Sequence, residues 1–292
     1  MSSPLDSSNS TMRCAIICGD ALSVLGDIPD AVFRCCITSP PYWGLRDYGI
    51  AHQIGPEPTL DEYIEHLVGV FREVRRTLTE DGTLWLNIGD SYTSGGRTWR
   101  AEDTKNPARA MQYRPDTPEG LKPKDLIGVP WRLAFALQAD GWYLRSDIIW
   151  HKPNCQPESV KDRPTRAHEY LFLLTRSERY HYDHEAIREQ STDGTRHRNR
   201  RTVWSIKTEA FPEAHFAAFP PSLVEPCVLA GSEPLDHVLD PFMGSGTVGE
   251  VSLRLGRRCT GIELNPRYAK IAVRRIKEAC RPHLIQRDIP YS

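Results

Sequence analysis

No uninterrupted apolar run in these 292 residues approaches the ~20 needed to cross a bilayer. The opening stretch, MSSPLDSSNSTMR, is polar and serine-rich, without the apolar segment of a secretory signal. An intracellular, cytoplasmic protein is expected, with no membrane partner and with residues 1–11 as a disordered lead-in. Zinc-binding spacings are missing as well. No paired Cys-x-x-Cys elements occur among the eight cysteines, and the ten histidines fall at no zinc-finger interval. His181 and His184, in HYDHE, read as part of a solvated loop, so neither a metal nor disulfides are expected. Cys14, Cys18, Cys35, Cys36 and Cys259 sit in or beside apolar runs, where a thiol behaves as a small hydrophobe. Internal repeats are absent, and so is a large net charge: the formal value is −1.

The composition, 39% hydrophobic and 26% charged, is that of a globular chain with ample core material. Strand-like and helix-like segments alternate, which predicts an α/β fold with a mostly parallel sheet. Residues 13–20 and 31–40 read as buried strands. Residues 60–78 read as an amphipathic helix, with Leu60, Ile64, Leu67, Phe71, Val74 and Leu78 returning at three- and four-residue intervals. Glu80–Gly82 should end it before a strand at 82–90. Residues 91–125 form a long polar loop, followed by a helix at 126–141 and strands at 142–153 and 168–177. A short helix at 220–231, a strand–turn–helix–strand unit at 236–264 and a helix at 266–279 complete the pattern.

Two strand ends carry chemistry. In VLDPFMGSGT an apolar strand delivers Asp240 to a turn holding Gly244 and Gly246, and a helix follows. Glycines let the backbone approach a ligand, and the N–H groups of a helix start can hold an anionic group. Glu263 closes the next strand, where an acid can take ribose hydroxyls. The other end is ITSPPYWGL, where two prolines and two aromatics follow a buried strand. In an open parallel sheet both ends discharge at the same edge, so SPPY and GSGT can share one cleft.

Together these motifs resemble those of the S-adenosylmethionine-dependent DNA amino-methyltransferases, in the permuted β group that places the catalytic motif before the cofactor turn. The resemblance extends over nearly the whole chain, least over residues 91–125 and 184–212. It implies a Rossmann-like methyltransferase fold, a mostly parallel sheet with helices on both faces, a circularly permuted motif order and a small inserted target-recognition segment. Residues 12–183 would be the catalytic half, 184–212 the recognition segment and 213–292 the cofactor half of one domain.

Carried over position by position, the resemblance assigns the S-adenosylmethionine pocket to Asp240, Phe242, Gly244, Ser245, Gly246 and Thr247. Glu263 would hold the ribose hydroxyls and Asp20 the adenine amine, with Phe216 and Pro220 as further walls; Phe242 and Phe216 read equally as core residues. Ser39, Pro40, Pro41 and Tyr42 would be catalytic: Ser39 Oγ and the Pro40 carbonyl accept from an exocyclic amine, and Tyr42 stacks a base flipped from the duplex. Trp43 reads as a pocket wall or as packing, with packing the preferred reading. Within the family, Ser before Pro-Pro goes mostly with cytosine N4, whereas Asp or Asn goes mostly with adenine N6. Cytosine N4 is therefore the expected target and adenine N6 the alternative. Attack at cytosine carbon five would need a Pro-Cys motif with a Glu-Asn-Val partner. Pro226-Cys227 falls in the helix before the cofactor strand and no Glu-Asn-Val is present, so Cys227 reads as packing.

The segment 188–207 concentrates arginines, and its place in the resemblance assigns Arg196, Arg198, Arg200 and Arg201 to DNA. Double-stranded DNA is the implied partner, with a cognate restriction endonuclease as a further one; monomer and homodimer are both open. Rival readings are an RNA or protein-glutamine methyltransferase and a catalytically silent DNA-binding protein.

Overall fold

The computed structural model describes residues 14–47, 49–93, 115–191, 193–209 and 219–285, with side chains to residue 279. Residues 1–11 and most of the long polar loop lie outside these, as does Phe216.

Eight strands form one sheet in the order β1-β10-β9-β2-β3-β5-β4-β8. They are β1 (Cys14–Cys18), β2 (Phe33–Thr38), β3 (Leu78–Ile88), β4 (Tyr143–His151), β5 (His168–Thr175), β8 (Val203–Ser205), β9 (His237–Asp240) and β10 (Arg258–Glu263). All run the same way except β5, which is antiparallel to both neighbours. A two-stranded hairpin, β6 (Glu189–Gln190) and β7 (His197–Arg198), precedes β8.

Alternation along the strands divides the core in two. Leu84, Leu86 and Ile88 of β3 point to one face, where they pack with α1 (Ala21–Gly26), α2 (Leu60–Thr77) and α3 (Val129–Ala139). Trp85 points to the other, with α4 (Pro221–Gly231), α5 (Thr247–Arg254) and α6 (Pro266–Ile285). The expected mostly parallel sheet with helices on both faces is therefore present.

Several expectations need correction. The first strand is not buried: β1 is the sheet edge, Cys18 is exposed and Ile17 is 37% exposed, because only β10 pairs with it. Glu80–Gly82 is no break. Leu78, the C-cap of α2, is already extended, and β3 starts there. α2 starts on a capping box in which Thr59 accepts from Glu62 N and Glu62 accepts from Thr59 N. The end of the arginine-rich segment joins the main sheet, where β8 pairs with β4.

Candidate active site

The strand order sets the cleft. From β9 the chain crosses through α5 to β10 on one side, and from β2 it crosses through α2 to β3 on the other. Between β9 and β2 lies the point where the direction of crossing reverses, the place where open α/β sheets bind ligands. The two strands pair directly, Cys35 with Val238 and Cys36 with Leu239, so the turns that follow them meet. A cavity of about 280 Å³ opens there. Ser39, Pro40, Pro41 and Tyr42 line one side of it; Asp20, Phe242, Gly244, Ser245, Thr247 and Glu263 line the other. Most of the residues selected from two distant motifs thus share one cavity.

Asp240 stands behind the wall rather than in it. It is 1% exposed, and its Oδ1 accepts from Thr38 Oγ1 at 2.7 Å and from Phe242 N at 3.0 Å. The carboxylate ties the residue before Ser39 to the start of the glycine turn. Burial raises its pKa from the ordinary 3.8 to about 7, against the lowering effect of both hydrogen bonds. Gly246 is likewise not at the cavity surface. Its φ of +87° and its contact with α6 require glycine, because a β-carbon would lie 2.9 Å from that of Ala272. Pro220 caps α4, and its neighbour Phe219 reaches the cavity instead.

Glu263 faces the cavity at the end of β10. Its Oε2 accepts from Gly244 N at 2.8 Å and its Oε1 from Asn265 N at 2.8 Å. Burial raises its pKa, and those two N–H groups oppose the rise. Asp20 lines the cavity while its Oδ1 caps α1 through Ser23 N at 2.9 Å. Arg275 of α6 donates to Ser245 Oγ at 3.2 Å and to Thr247 Oγ1 at 2.9 Å, fixing the entry to α5.

The SPPY turn is held from outside. Tyr63 of α2 donates to the Pro41 carbonyl at 2.8 Å, and Trp43 Nε1 donates to the Glu57 carbonyl at 3.0 Å. Trp43 is 5% exposed and does not line the cavity, so it packs, as expected. Tyr42 does line it, and its hydroxyl donates to Glu169 Oε2 at 2.8 Å. Burial, then the Glu169 charge, drives the Tyr42 pKa well above its usual value, so the phenol stays neutral. Cys227 is buried in α4, with Sγ 3.3 Å from the Leu223 carbonyl, and burial raises its pKa far from the thiolate range. It is no nucleophile.

The sequence motif in the glycine turn and the Ser-Pro-Pro-Tyr turn now have a common cavity, and comparison with known proteins gives them a family. The sequence model of a family of N6 and N4 methyltransferases, described as DNA methylase, matches residues 33–274. The chain belongs to the DNA methylase family. The methylase is 64% identical over 264 residues to the type II methyltransferase M.SmaI of Serratia marcescens, covering 90% of each chain. It is also 64% identical over 259 residues to M.Cfr9I of Citrobacter freundii, covering 89% of this chain and 86% of that one. TTHA0409 of Thermus thermophilus, solved in complex with S-adenosyl-L-methionine, superposes with a TM-score of 0.62 at 25% identity, covering 92% and 94% of the two chains. The PvuII DNA methyltransferase shares the fold, with a TM-score of 0.69 at 20% identity and 94% of each chain covered.

S-adenosylmethionine is the methylase's cofactor, and the residues present fit it. Glu263 offers a carboxylate to hydroxyl donors, the α5 start offers N–H groups to a carboxylate, and Phe242 and Met243 give apolar surface.

The four arginines sit in different surroundings. The segment leaves β5 at the end of the sheet remote from the cleft, where His181 N donates to the Asp81 carbonyl and Asp183 N to the Ala230 carbonyl. It returns along β8, so that Thr208 lines the cavity. Arg196 and Arg201 are exposed, whereas Arg198 pairs with Glu189 at 3.0 Å and the Arg200 guanidinium lies 4.4 Å from the Trp204 ring centroid. None of the four lines the cavity. Sequence reasoning missed Asn87, Trp150, Lys152 and Glu169, all of which do. Asn87, the pair Trp150 and Lys152, and Glu169 stand near the ends of three different strands, without a motif around them.

Proposed function

We propose that the methylase transfers a methyl group to the exocyclic N4 amine of a cytosine flipped out of double-stranded DNA. The observation that supports it is the single cavity shared by Ser39, Tyr42 and the cofactor turn. Ser39, the residue before Pro-Pro, favours cytosine over adenine.

The amine of a base is a poor nucleophile because its lone pair is delocalised into the ring. Ser39 Oγ and the Pro40 carbonyl accept its two N–H groups and localise that pair toward the methyl group. Tandem prolines restrict the backbone that aims the carbonyl, and Tyr63 anchors the next one along. Tyr42 offers the base a stacking face. The bound cofactor supplies an electrophilic methyl on a sulfonium. Once methylated, the amine is acidic and loses its proton without a strong base, so alignment of the reacting atoms is what the cavity contributes. Arg196 and Arg201 contact phosphates, and the type II names of the 64% identical relatives support a cognate restriction endonuclease as a partner in the cell.

The test is the product. Unmethylated genomic DNA treated with the methylase and labelled cofactor, then digested to nucleosides for mass spectrometry, should contain N4-methylcytosine. N6-methyladenine would overturn the base assignment, and no labelled nucleoside at all would overturn the whole reading.

A further inference from the structure

On the base side of the cavity, polar groups from β3, β4 and β5 converge behind Tyr42 in a network that methyl transfer as described leaves unused. Glu169 accepts the Tyr42 hydroxyl on Oε2 and pairs with Lys152 Nζ through Oε1. Asn87 Nδ2 donates to Glu169 Oε2 at 3.3 Å and to the Tyr170 carbonyl at 3.1 Å. Lys152 Nζ also lies 4.1 Å from the centroid of the Trp150 ring. The Lys152 and Glu169 side chains are each 17% exposed, and both line the cavity. A largely buried ion pair contributes little net stability once desolvation is counted, so stability does not account for one at this wall. An ammonium has three donors. Glu169 takes one and the face of Trp150 attracts the group, which leaves a donor for the cavity.

We infer that Lys152 donates to the 2-oxo group of the flipped cytosine and thereby sets the choice of base, with Glu169 positioning both Lys152 and Tyr42. The inference rests on the cytosine reading above. A base anchored by its amine on Ser39 and Pro40 presents the rest of its pairing edge to the remaining wall. For cytosine that edge is ring N3 and then the 2-oxo group, two acceptors. For adenine it is ring N1 and then a C–H. The ring nitrogen does not distinguish them; the next position does. A mostly buried ammonium facing a C–H is left with an unpaired donor, and pockets that hydrogen-bond their substrate discriminate most strongly by this kind of mismatch.

The experiment is single-turnover methyl transfer by the full chain on two duplexes carrying the site mapped from methylated genomic DNA. One has the target cytosine. The other has a 2-aminopyridine C-nucleoside there, which keeps the amine and the adjacent ring nitrogen but has C–H in place of the carbonyl. Lys152→Met should slow transfer to cytosine on the order of 10- to 100-fold, the size of a lost hydrogen bond to a charged group. It should leave the rate on the analogue unchanged or raise it, because the donor left unpaired there is gone, so that the two changes are not additive. Glu169→Gln should narrow the same cytosine-to-analogue ratio, which a merely structural role would not do. Lys152→Gln, which keeps a donor, serves the same cycle if the methionine variant does not fold. Equal slowing on both duplexes would make Lys152 a phosphate or packing contact and overturn the inference while the cytosine reading stands. N6-methyladenine from the wild-type chain overturns both.

Discussion

The two walls of this cavity are built from different materials. The cofactor wall is mostly backbone: a glycine turn, the first N–H groups of α5 and a Glu263 whose two oxygens are already held by the N–H groups of Gly244 and Asn265. The base wall is mostly side chain, with Ser39 and Tyr42 after β2, Asn87 on β3, Lys152 after β4 and Glu169 on β5. A backbone wall survives most substitutions and fails when a carboxylate or a required glycine is lost. A side-chain wall loses one chemical function with each residue.

The difference can be broken most sharply at Ser39. Ser39→Ala should keep the fold and cofactor affinity while single-turnover transfer falls roughly 100-fold or more, by analogy with deletion of one preorganised polar contact to a reacting group. Full activity in this variant would remove the distinction between the walls. Glu263→Ala tests the opposite wall and should weaken cofactor binding by about 1.5–3 kcal/mol in calorimetry, as charge-assisted hydrogen bonds are lost. An unchanged affinity would mean that the backbone alone holds the cofactor.

Asp240 joins the walls and supplies a pH test. Its folded pKa of about 7 lies above the ordinary 3.8, so the folded chain holds a proton that the unfolded chain has released. Stability from this group is therefore greatest at low pH and declines as pH rises through that interval, levelling off above pH 7. Denaturant melts of the wild type should show a fall of about 2 kcal/mol between pH 5 and pH 7 that Asp240→Asn lacks. Asn keeps an acceptor for Thr38 and Phe242 N, so cofactor binding should persist. Parallel pH profiles for the two proteins would exclude the buried carboxyl as their source.

The smallest effects belong to the outer surface. Replacing Arg196 and Arg201 should lower the salt dependence of DNA affinity by about one unit of log–log slope apiece. Replacing Arg198 or Arg200, which Glu189 and Trp204 occupy, should instead lower the melting temperature. Identical salt titrations for Arg196→Ala, Arg201→Ala and wild type would make this segment a solvated surface with no contact to DNA.

The same contrast explains what could be read from the sequence. Apart from Asp20, the selected residues of the cofactor wall lie between Asp240 and Glu263, so strand, turn and helix start appear as one string, and family resemblance gave the chemistry. Ser39–Tyr42 was legible because two prolines after an apolar strand are conspicuous. Lys152 and Glu169 were not. A lysine after one strand and a glutamate beginning the next look like ordinary polar strand ends, and only antiparallel pairing of β4 with β5 sets them together. Asp240 was selected, but its place behind the wall depends on Thr38, which lies on a strand far away in sequence. The arginines were assigned to DNA by their charge and by the place of their segment in the resemblance. Charge carries no information about a neighbouring glutamate or tryptophan that holds the guanidinium, so Arg198 and Arg200 looked the same as Arg196 and Arg201. The edge position of β1 was hidden for a similar reason, because an apolar run does not reveal how many neighbours a strand will have.

Gly89 has no side chain to offer either wall, yet a β-carbon there would lie 2.7 Å from Tyr42 Cε2 and 3.4 Å from Glu169 Cδ. Even alanine would push the ring off its carboxylate partner. In a census of every tolerated single substitution, position 89 would be as empty as position 39, and a ranking by intolerance alone would count it among the reacting groups. Part of the record that catalysis leaves in this chain is written where an atom has to be missing.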